Sequence, residues 1–213
     1  MILDVLSLYG ERWEFFLKLA IQHLQISAIS IFLATIIGLL LGILISEFKG
    51  TSTVIMSLVN FIYTIPSISL LGFLIPLSGI GNGTAIIALT VYALLPMVRN
   101  TYTGIDGIDP DIIEASKGMG STRFQILYKV KLPLALIVIL SGFRNIVTMT
   151  IALAGIASFI GAGGLGVAIY RGITTNNQAM TVAGSILIAA IALILDFILG
   201  RIEKIIKKRR RLI

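Results

Sequence analysis

Cysteine is absent and histidine occurs once, as His23. Thiolate catalysis, cysteine-based metal sites and disulfides are therefore closed to the chain, and a histidine-rich metal cluster with them. Charge is scarce: 13% of the 213 residues are Asp, Glu, Lys or Arg, against about 25% in an ordinary soluble domain. Hydrophobic side chains make up 57%, beyond the roughly 45–50% of a soluble fold. No water-soluble fold of this length hides so much apolar surface, so the solvent is lipid. A soluble enzyme, a disordered chain and a disulfide-stapled secreted domain are excluded together. No Gly-x-x-x-x-Gly-Lys-Ser/Thr loop occurs, and no nucleophile–base pair supports a membrane-embedded enzyme. The expectation is a non-catalytic chain with no cofactor and no metal.

What charge there is sits unevenly. The formal net charge is +7, and from residue 201 onward Arg201, Lys204, Lys207, Lys208, Arg209, Arg210 and Arg211 face only Glu203. The basic balance is a property of this tail, 201–213, which argues against a nucleic-acid-binding surface. A basic run beside an apolar segment reads as a cytoplasmic anchor under the positive-inside rule. The start carries Asp4, Glu11 and Glu14 against Arg12 and Lys18. With no basic n-region and no small-residue cleavage site, a cleaved signal is not expected.

A helix needs about 20 mainly apolar residues to cross a hydrocarbon core of about 30 Å. Five stretches qualify: 22–46, 53–77, 83–103, 134–160 and 178–200. The interval 161–177 is too short and too glycine-rich to span, and predicts a re-entrant or partial helix over 165–173. Irregular backbone at that depth needs protein or a wet cavity around it. Counting Lys and Arg orients the chain. With the C-terminus inside, the inner segments hold Lys49, Arg99, Lys117, Arg123, Lys129, Lys131 and the tail, leaving Arg12, Lys18 and Arg171 outside. The expectation is N-out, C-in.

The one long polar loop, 106–133, thus faces the cytoplasm. Asp109 is a good N-cap, Pro110 suits the first helical position, and Asp111 and Glu114 complement the N-terminal dipole. Gly118 or Gly120 supplies the left-handed stop. Ser121 can cap a second short helix ending at Pro133. The result is a helix–glycine–helix elbow, with Ile112, Ile113, Phe124 and Leu127 as its apolar contacts. An amphipathic connector lying on the headgroups would use the same residues.

This elbow resembles the cytoplasmic signature loop of ABC-importer permeases: E-A-A, three residues, G, nine residues, I-x-L-P. Glu114-Ala115-Ser116, Gly120 and Val130-Lys131-Leu132-Pro133 fall at those spacings, with Ser116 for the second alanine and Val130 for isoleucine. Two further stretches, Tyr63-Thr64-Ile65-Pro66-Ser67-Ile68-Ser69-Leu70-Leu71 and Phe159-Ile160-Gly161-Ala162-Gly163-Gly164-Leu165-Gly166, are similar to segments of the osmoprotectant permeases, importers of glycine betaine, carnitine or choline. The resemblance implies an all-α integral membrane protein, a single transmembrane domain over 1–213 with five helices of the methionine-importer type. It implies a bacterial cytoplasmic membrane, two ATPase subunits, a second permease chain, identical or paralogous, and an extracytoplasmic substrate-binding protein. It implies that the elbow docks on the ATPase, a role carried to Glu114, Ala115, Gly120, Leu132 and Pro133. Physically, a short helix continued rigidly into a span can pass on a rotation, provided the turn at Gly120 holds its angle.

Polar residues inside spans carry the remaining expectations. Arg144 lies eleven residues past Pro133, about 16 Å along a helix and near mid-membrane. Facing lipid there costs about 2.5–3.5 kcal/mol even on the lenient insertion scale. With Ser141, Asn145, Thr148 and Ala152 it makes one face of the fourth span small and polar. A translocation path lined by Arg144, Asn145 and Thr148 is expected, with an interhelical hydrogen-bond network as the alternative. The same two readings apply to Tyr63, Thr64, Ser67 and Ser69 around Pro66, which breaks the second span and frees a backbone carbonyl. Asp196 is expected to pair with Arg99 or the basic tail.

Several patterns have plain readings. Gly161-x-Gly163-x-x-Gly166 spells the dinucleotide fingerprint but comes after an apolar span instead of a strand. Gly161, Gly163, Gly164 and Gly166 are expected to allow close helix packing at the outer mouth. Gly38-x-x-x-Gly42 is a helix-packing motif for a dimer contact or a contact within the chain. Asn82-Gly83-Thr84 fits a glycosylation sequon by three letters only. His23 is expected to be interfacial or packed. A methionine or other amino-acid permease is the alternative within the class, and a secondary transporter or channel subunit the alternative outside it.

Overall fold

The computed structural model describes residues 1–209, and Arg210 and Arg211 of the expected tail lie outside the described residues. In chain order the helices are α1 (Ile2–Glu11), α2 (Trp13–Glu47), α3 (Lys49–Thr64), α4 (Ser67–Ser78), α5 (Asn82–Asp106), α6 (Pro110–Gly118) and α7 (Arg123–Ile126). A π-turn (Leu127–Lys131) leads into α8 (Leu132–Ala154), then come a 3-10 turn (Ile156–Ile160), α9 (Gly166–Thr174) and α10 (Gln178–Arg209). No strand occurs among the described residues. Four helical runs are long and apolar enough to cross a membrane: Trp13–Glu47, Asn82–Asp106, Arg123–Ala154 and Gln178–Arg209. The bent pair α3–α4 makes a fifth when its two halves are counted as one broken span.

Lipid inverts the usual pattern of burial, and α5 shows it. It packs against α2, α8, α3 and α4, yet its mean hydropathy is 1.3 against 2.8 for α2. Where lipid surrounds the bundle, the enclosed helix is free to carry Thr84, Thr90 and Thr101 against its neighbours, all buried. The outer helices must be greasy instead, and Phe32, Leu40, Leu193 and Phe197 are exposed. The α2–α5 contact explains Gly38 and Gly42. A Cβ on Gly38 would lie 2.7 Å from the Met97 side chain, and one on Gly42 would lie 2.4 Å from Thr101 Cβ. Between the two alternatives left by the sequence, the motif serves contact within the chain.

The span boundaries need four corrections. The segment 53–77 is not one crossing helix: its halves meet at 99°, because Pro66 has no N–H to donate and Ile65 is held extended. The first span begins earlier than residue 22, at Trp13, and runs about 52 Å. The fourth span, expected over 134–160, stops as α-helix at Ala154, where the chain tightens into the 3-10 turn. The fifth continues beyond residue 200 to Arg209, so the described part of the tail is helical. The short helix expected over 165–173 is present as α9. His23 is fully buried, and its Nε2 lies 3.0 Å from the Ile151 carbonyl, so the ring donates from Nε2 and ties α2 to α8.

Candidate functional site

Three features assemble the candidate site: the elbow, the break at Pro66 and the polar face of α8. In the elbow, Asp109 caps α6 by accepting from the Asp111 N–H at 2.9 Å, and Pro110 opens the helix. Between the two candidate glycines, Gly120 is the left-handed one, with φ +82. Nothing lies within 4 Å of a Cβ built there, so the glycine is required by backbone conformation and not by space. The second helix is capped by Thr122, not Ser121. Thr122 Oγ1 accepts from Gln125 N at 3.3 Å, while Gln125 Oε1 accepts from Thr122 N at 2.8 Å. It also does not end at Pro133. The chain passes through the π-turn into α8 without a break in the helical run. Pro133 follows directly on the π-turn, whose wider spacing makes room in a continuous helical run for a residue with a ring and no N–H.

Of the elbow's four expected apolar contacts, Ile113 and Leu127 are half-buried, and Ile112 and Phe124 are not contacts of the bundle. Phe124 is 73% exposed and stacks on Tyr128, also exposed, with ring centroids 6.3 Å apart. Ile112 is exposed as well, and Ile126 is the side chain that turns inward. No residue of α6 is buried. Glu114 and Ala115 stand on its exposed surface, and Met119 projects beside Gly120. Leu132 and Pro133 are half-buried at the base. The elbow is an apolar-and-charged surface, attached by a continuous helix to the bundle.

At the break, the Tyr92 hydroxyl of α5 donates to the carbonyl of Ile65, the extended residue that ends α3 and whose carbonyl belongs to neither helix. Tyr63 packs edge-on against Tyr92 with centroids 5.8 Å apart, and its hydroxyl reaches Met149 Sδ at 3.7 Å. Thr64 is exposed and its hydroxyl folds back to the Phe61 carbonyl at 2.7 Å. Ser67 and Ser69 are half-buried in the first turn of α4. Tyr63 is thereby brought beside α8, whereas Thr64 bonds within its own helix. Sequence reasoning missed Tyr92, a residue in an ordinary apolar helix with no local signal.

On α8, Asn145 and Ala152 are exposed, and Ser141 and Thr148 are half-buried. Their strip runs between Tyr63 of α3 on one side and α10 on the other. Arg144 is not a free cation: it donates from Nε to Asp196 Oδ1 and from Nη2 to Asp196 Oδ2, both at 2.7 Å. Its Nη1 lies 3.5 Å from Glu203 Oε2, and Glu203 also accepts from Ser141 at 3.0 Å and pairs with Lys207 at 2.8 Å. Gly200 makes room, since a Cβ there would sit 3.0 Å from Arg144 Cζ. Asp196 therefore pairs with Arg144, not with Arg99 or the tail. Arg99 donates to Asn60 instead, at 3.0 Å. The spacing Asp196, Gly200, Glu203 places two acids and a gap on one helix face, a signal readable in the sequence.

At the end of the bundle remote from the elbow, the glycine run is gripped by three elements. Gly163 N donates to Asn82 Oδ1 at 2.8 Å, Gly164 N to Gln22 Oε1 at 3.4 Å, and Gly81 N to the Ile160 carbonyl at 3.0 Å. Gly161 and Gly164 have φ of +72 and +96, and a Cβ on Gly166 would lie 2.0 Å from the Gly155 carbonyl oxygen. Asn82 is thus a structural acceptor, and the fingerprint spelling has no strand before it.

Residues 34–212 match the family described as binding-protein-dependent transport system inner membrane component. The chain is 40% identical over 206 residues to the glycine betaine/carnitine/choline transport system permease protein OpuCD of Bacillus subtilis (strain 168), covering 95% of this chain and 90% of that protein. It is 41% identical to the osmoprotectant import permease protein OsmW of Salmonella typhimurium, covering 96% and 97%. A chain from inward-facing structures of the MetNI methionine ABC transporter superposes with TM-score 0.81 at 26% identity, covering 92% of this chain and 98% of that one. An exposed elbow continued by helix into a bundle of apolar spans, and these likenesses along nearly its whole length, make the chain a member of the binding-protein-dependent inner membrane components: a multi-pass permease subunit of an ABC importer, whose ATPase is a separate subunit.

Proposed function

We propose that this permease imports quaternary ammonium osmoprotectants, of the class of glycine betaine, carnitine or choline. The observation that carries the reading is the 40% and 41% identity, spread over nearly the full length, to permeases named for those solutes. The charge arrangement agrees with it. A bare Arg144 on the path would repel a quaternary cation, but Asp196 and Glu203 neutralise it, leaving Tyr63 as an exposed aromatic surface on the same side of α8. The path runs along Asn145 and Thr148 between α3 and α10, past the break at Pro66, with Thr64 and Ser67 at its edge. A second permease chain, identical or paralogous, closes it.

In the same reading the N-terminus is outside and the elbow, 106–133, is cytoplasmic. Two ATPase subunits dock there, on Glu114, Ala115 and the turn at Gly120, and rotation passes through Leu132 and Pro133 into α8. The basic tail, 201–213, anchors the inner end of α10. The glycine run from Gly161 to Gly166 lies at the outer mouth, facing an extracytoplasmic binding protein. The chain itself carries out no catalysis. Uptake assays on proteoliposomes holding the permease with its ATPase and binding protein test the cargo. Labelled choline, glycine betaine or carnitine should accumulate in an ATP-dependent way, and methionine should not. Methionine uptake alone would favour the amino-acid alternative, which the likeness to the methionine transporter supports at 26% identity. A secondary transporter finds less support, because Asp196, the spanning carboxylate it would use, is held by Arg144.

A further inference from the structure

Lys131 and Glu47 meet where the elbow joins the bundle. Lys131 Nζ lies 2.5 Å from Glu47 Oε1, with the two side chains 19% and 25% exposed. Lys131 is the last residue of the π-turn, and Glu47 is the last residue of α2. A π-turn holds one residue more than an α-turn, so the helix beyond it is rotated by about 100° from an uninterrupted α-helix. The direction of Lys131 therefore depends on that turn. Beyond Glu47 only Phe48 separates α2 from α3. α3 runs directly to Ile65 and Pro66, where the backbone breaks.

We propose that the Lys131–Glu47 pair is a positioning clamp that lets the elbow move α3 as well as α8. Without it, a displacement of α6 reaches the bundle only through its two chain ends, back through residues 107–109 into α5 and on through α7 and the π-turn into α8. With it, the same displacement pulls the α2–α3 junction, and the break at Pro66 receives motion from both sides: from α3 directly, and from α8 through Met149 against Tyr63. The surroundings suit a clamp that works while wet. A cavity of about 300 Å³ beside the pair is lined by Ser46, Ile113, Lys117, Arg123 and Ile126. Lys117 and Arg123 are the other cations lining that cavity. Of these three, Lys131 is the one paired with Glu47, and it stands at the end of the π-turn that sets its direction.

The inference rests on the transport reading above, and its test separates the two. The complete complex, permease with ATPase and binding protein, is reconstituted with Glu47→Gln, Lys131→Met, and the exchange Glu47→Lys with Lys131→Glu. Uptake and ATP hydrolysis are measured together, using whichever of labelled choline, glycine betaine, carnitine and methionine the wild type accumulates. Each single variant should assemble and hydrolyse ATP near the wild-type rate, while solute moved per ATP falls about fivefold. The exchange should recover most of that ratio, which assigns the effect to the pair and not to either residue alone, while retained assembly and ATP hydrolysis in the singles separate coupling from structure. Wild-type coupling in both singles, loss of ATPase co-purification in both, or no recovery in an assembled exchange variant would each overturn the clamp. A second measurement does not depend on cargo. The chain has no cysteine, so spin labels at Leu58→Cys in α3 and Ile87→Cys in α5 report the position of α3 relative to α5. Their separation should change on vanadate trapping in the wild type and stay fixed with Glu47→Gln. An α3 that is still in the wild type, or moves equally in the variant, overturns the proposal. Failure of the transport reading would appear in the unmodified complex, and failure of the clamp only in these variants or in α3.

Discussion

Arg144 of α8 and Asp196 of α10 meet through two parallel hydrogen bonds of 2.7 Å. This fork-to-fork geometry is the strongest form of a carboxylate–guanidinium contact. It turns a costly charge in a spanning helix into a fastening between two helices. Glu203 and Lys207 extend the pair along α10, so the formal charges of the four groups cancel.

Asp196→Ala should lower the stability of the protein measurably, but by less than breaking a fully buried pair would, because Glu203 stays near Arg144. The two side chains are also about a third exposed. Arg144→Met combined with Asp196→Leu should return close to wild type, since no charge is then stranded. Thermal midpoints in detergent check both variants. Equal midpoints for wild type and Asp196→Ala would show that the pair adds nothing to stability.

Gly120→Val should weaken docking of the ATPase and lower uptake while leaving membrane insertion intact. With φ at +82, a side chain there costs about 1–2 kcal/mol of backbone strain. Gly120→Asn should keep more function, because Asn visits that conformation readily. Co-purification of the ATPase and uptake in the same cells distinguish the two. Glu114→Lys, which leaves the backbone untouched, should also uncouple if the exposed face of α6 is the docking surface.

Cysteines at 145 and 148 should react with a small polar thiol reagent, and their reactivity should change when hydrolysis is trapped by vanadate. Cysteines at 139 and 147 should react slowly, since Ile139 and Val147 are buried. Equal labelling at all four positions would mean that the polar strip of α8 is packed structure and no path.

Gly42→Val should prevent stable assembly of the bundle. Its Cβ would fall 2.4 Å from Thr101 Cβ, forcing α2 away from α5 at a cost of about 3 kcal/mol or more. Gly50→Ala, where nothing lies within 4 Å, should be neutral or stabilising by about 0.5–1 kcal/mol. Yield and monodispersity on size exclusion compare the two. If both behave alike, close α2–α5 packing is not what Gly42 provides.

Periodicity and composition were enough for what depends on local chemistry. An apolar run of the right length with no internal break is a spanning helix in lipid whatever it packs against. Asp109 with Pro110 starts a helix, and Pro66 stops one, because capping and the missing N–H act within one turn. The elbow's spacing from Glu114 to Pro133 is likewise local, so the family was legible before any coordinate.

The partners were decided by tertiary structure. Whether Arg144 faced water, lipid or an acid depended on the rotation of α10 against α8, which brings Asp196 and Glu203 to it. The break at Pro66 opens to 99°, and the Tyr92 hydroxyl of α5 meets the Ile65 carbonyl there, a pairing 27 residues apart in the chain. Thr122 displaced Ser121 as cap through a one-residue choice that local propensity does not resolve. Sequence determines which residues must avoid lipid, because desolvation acts on each group alone. Only the packed helices decide what each of those residues meets, because a hydrogen bond needs two groups within about 3 Å, often from segments far apart in the chain.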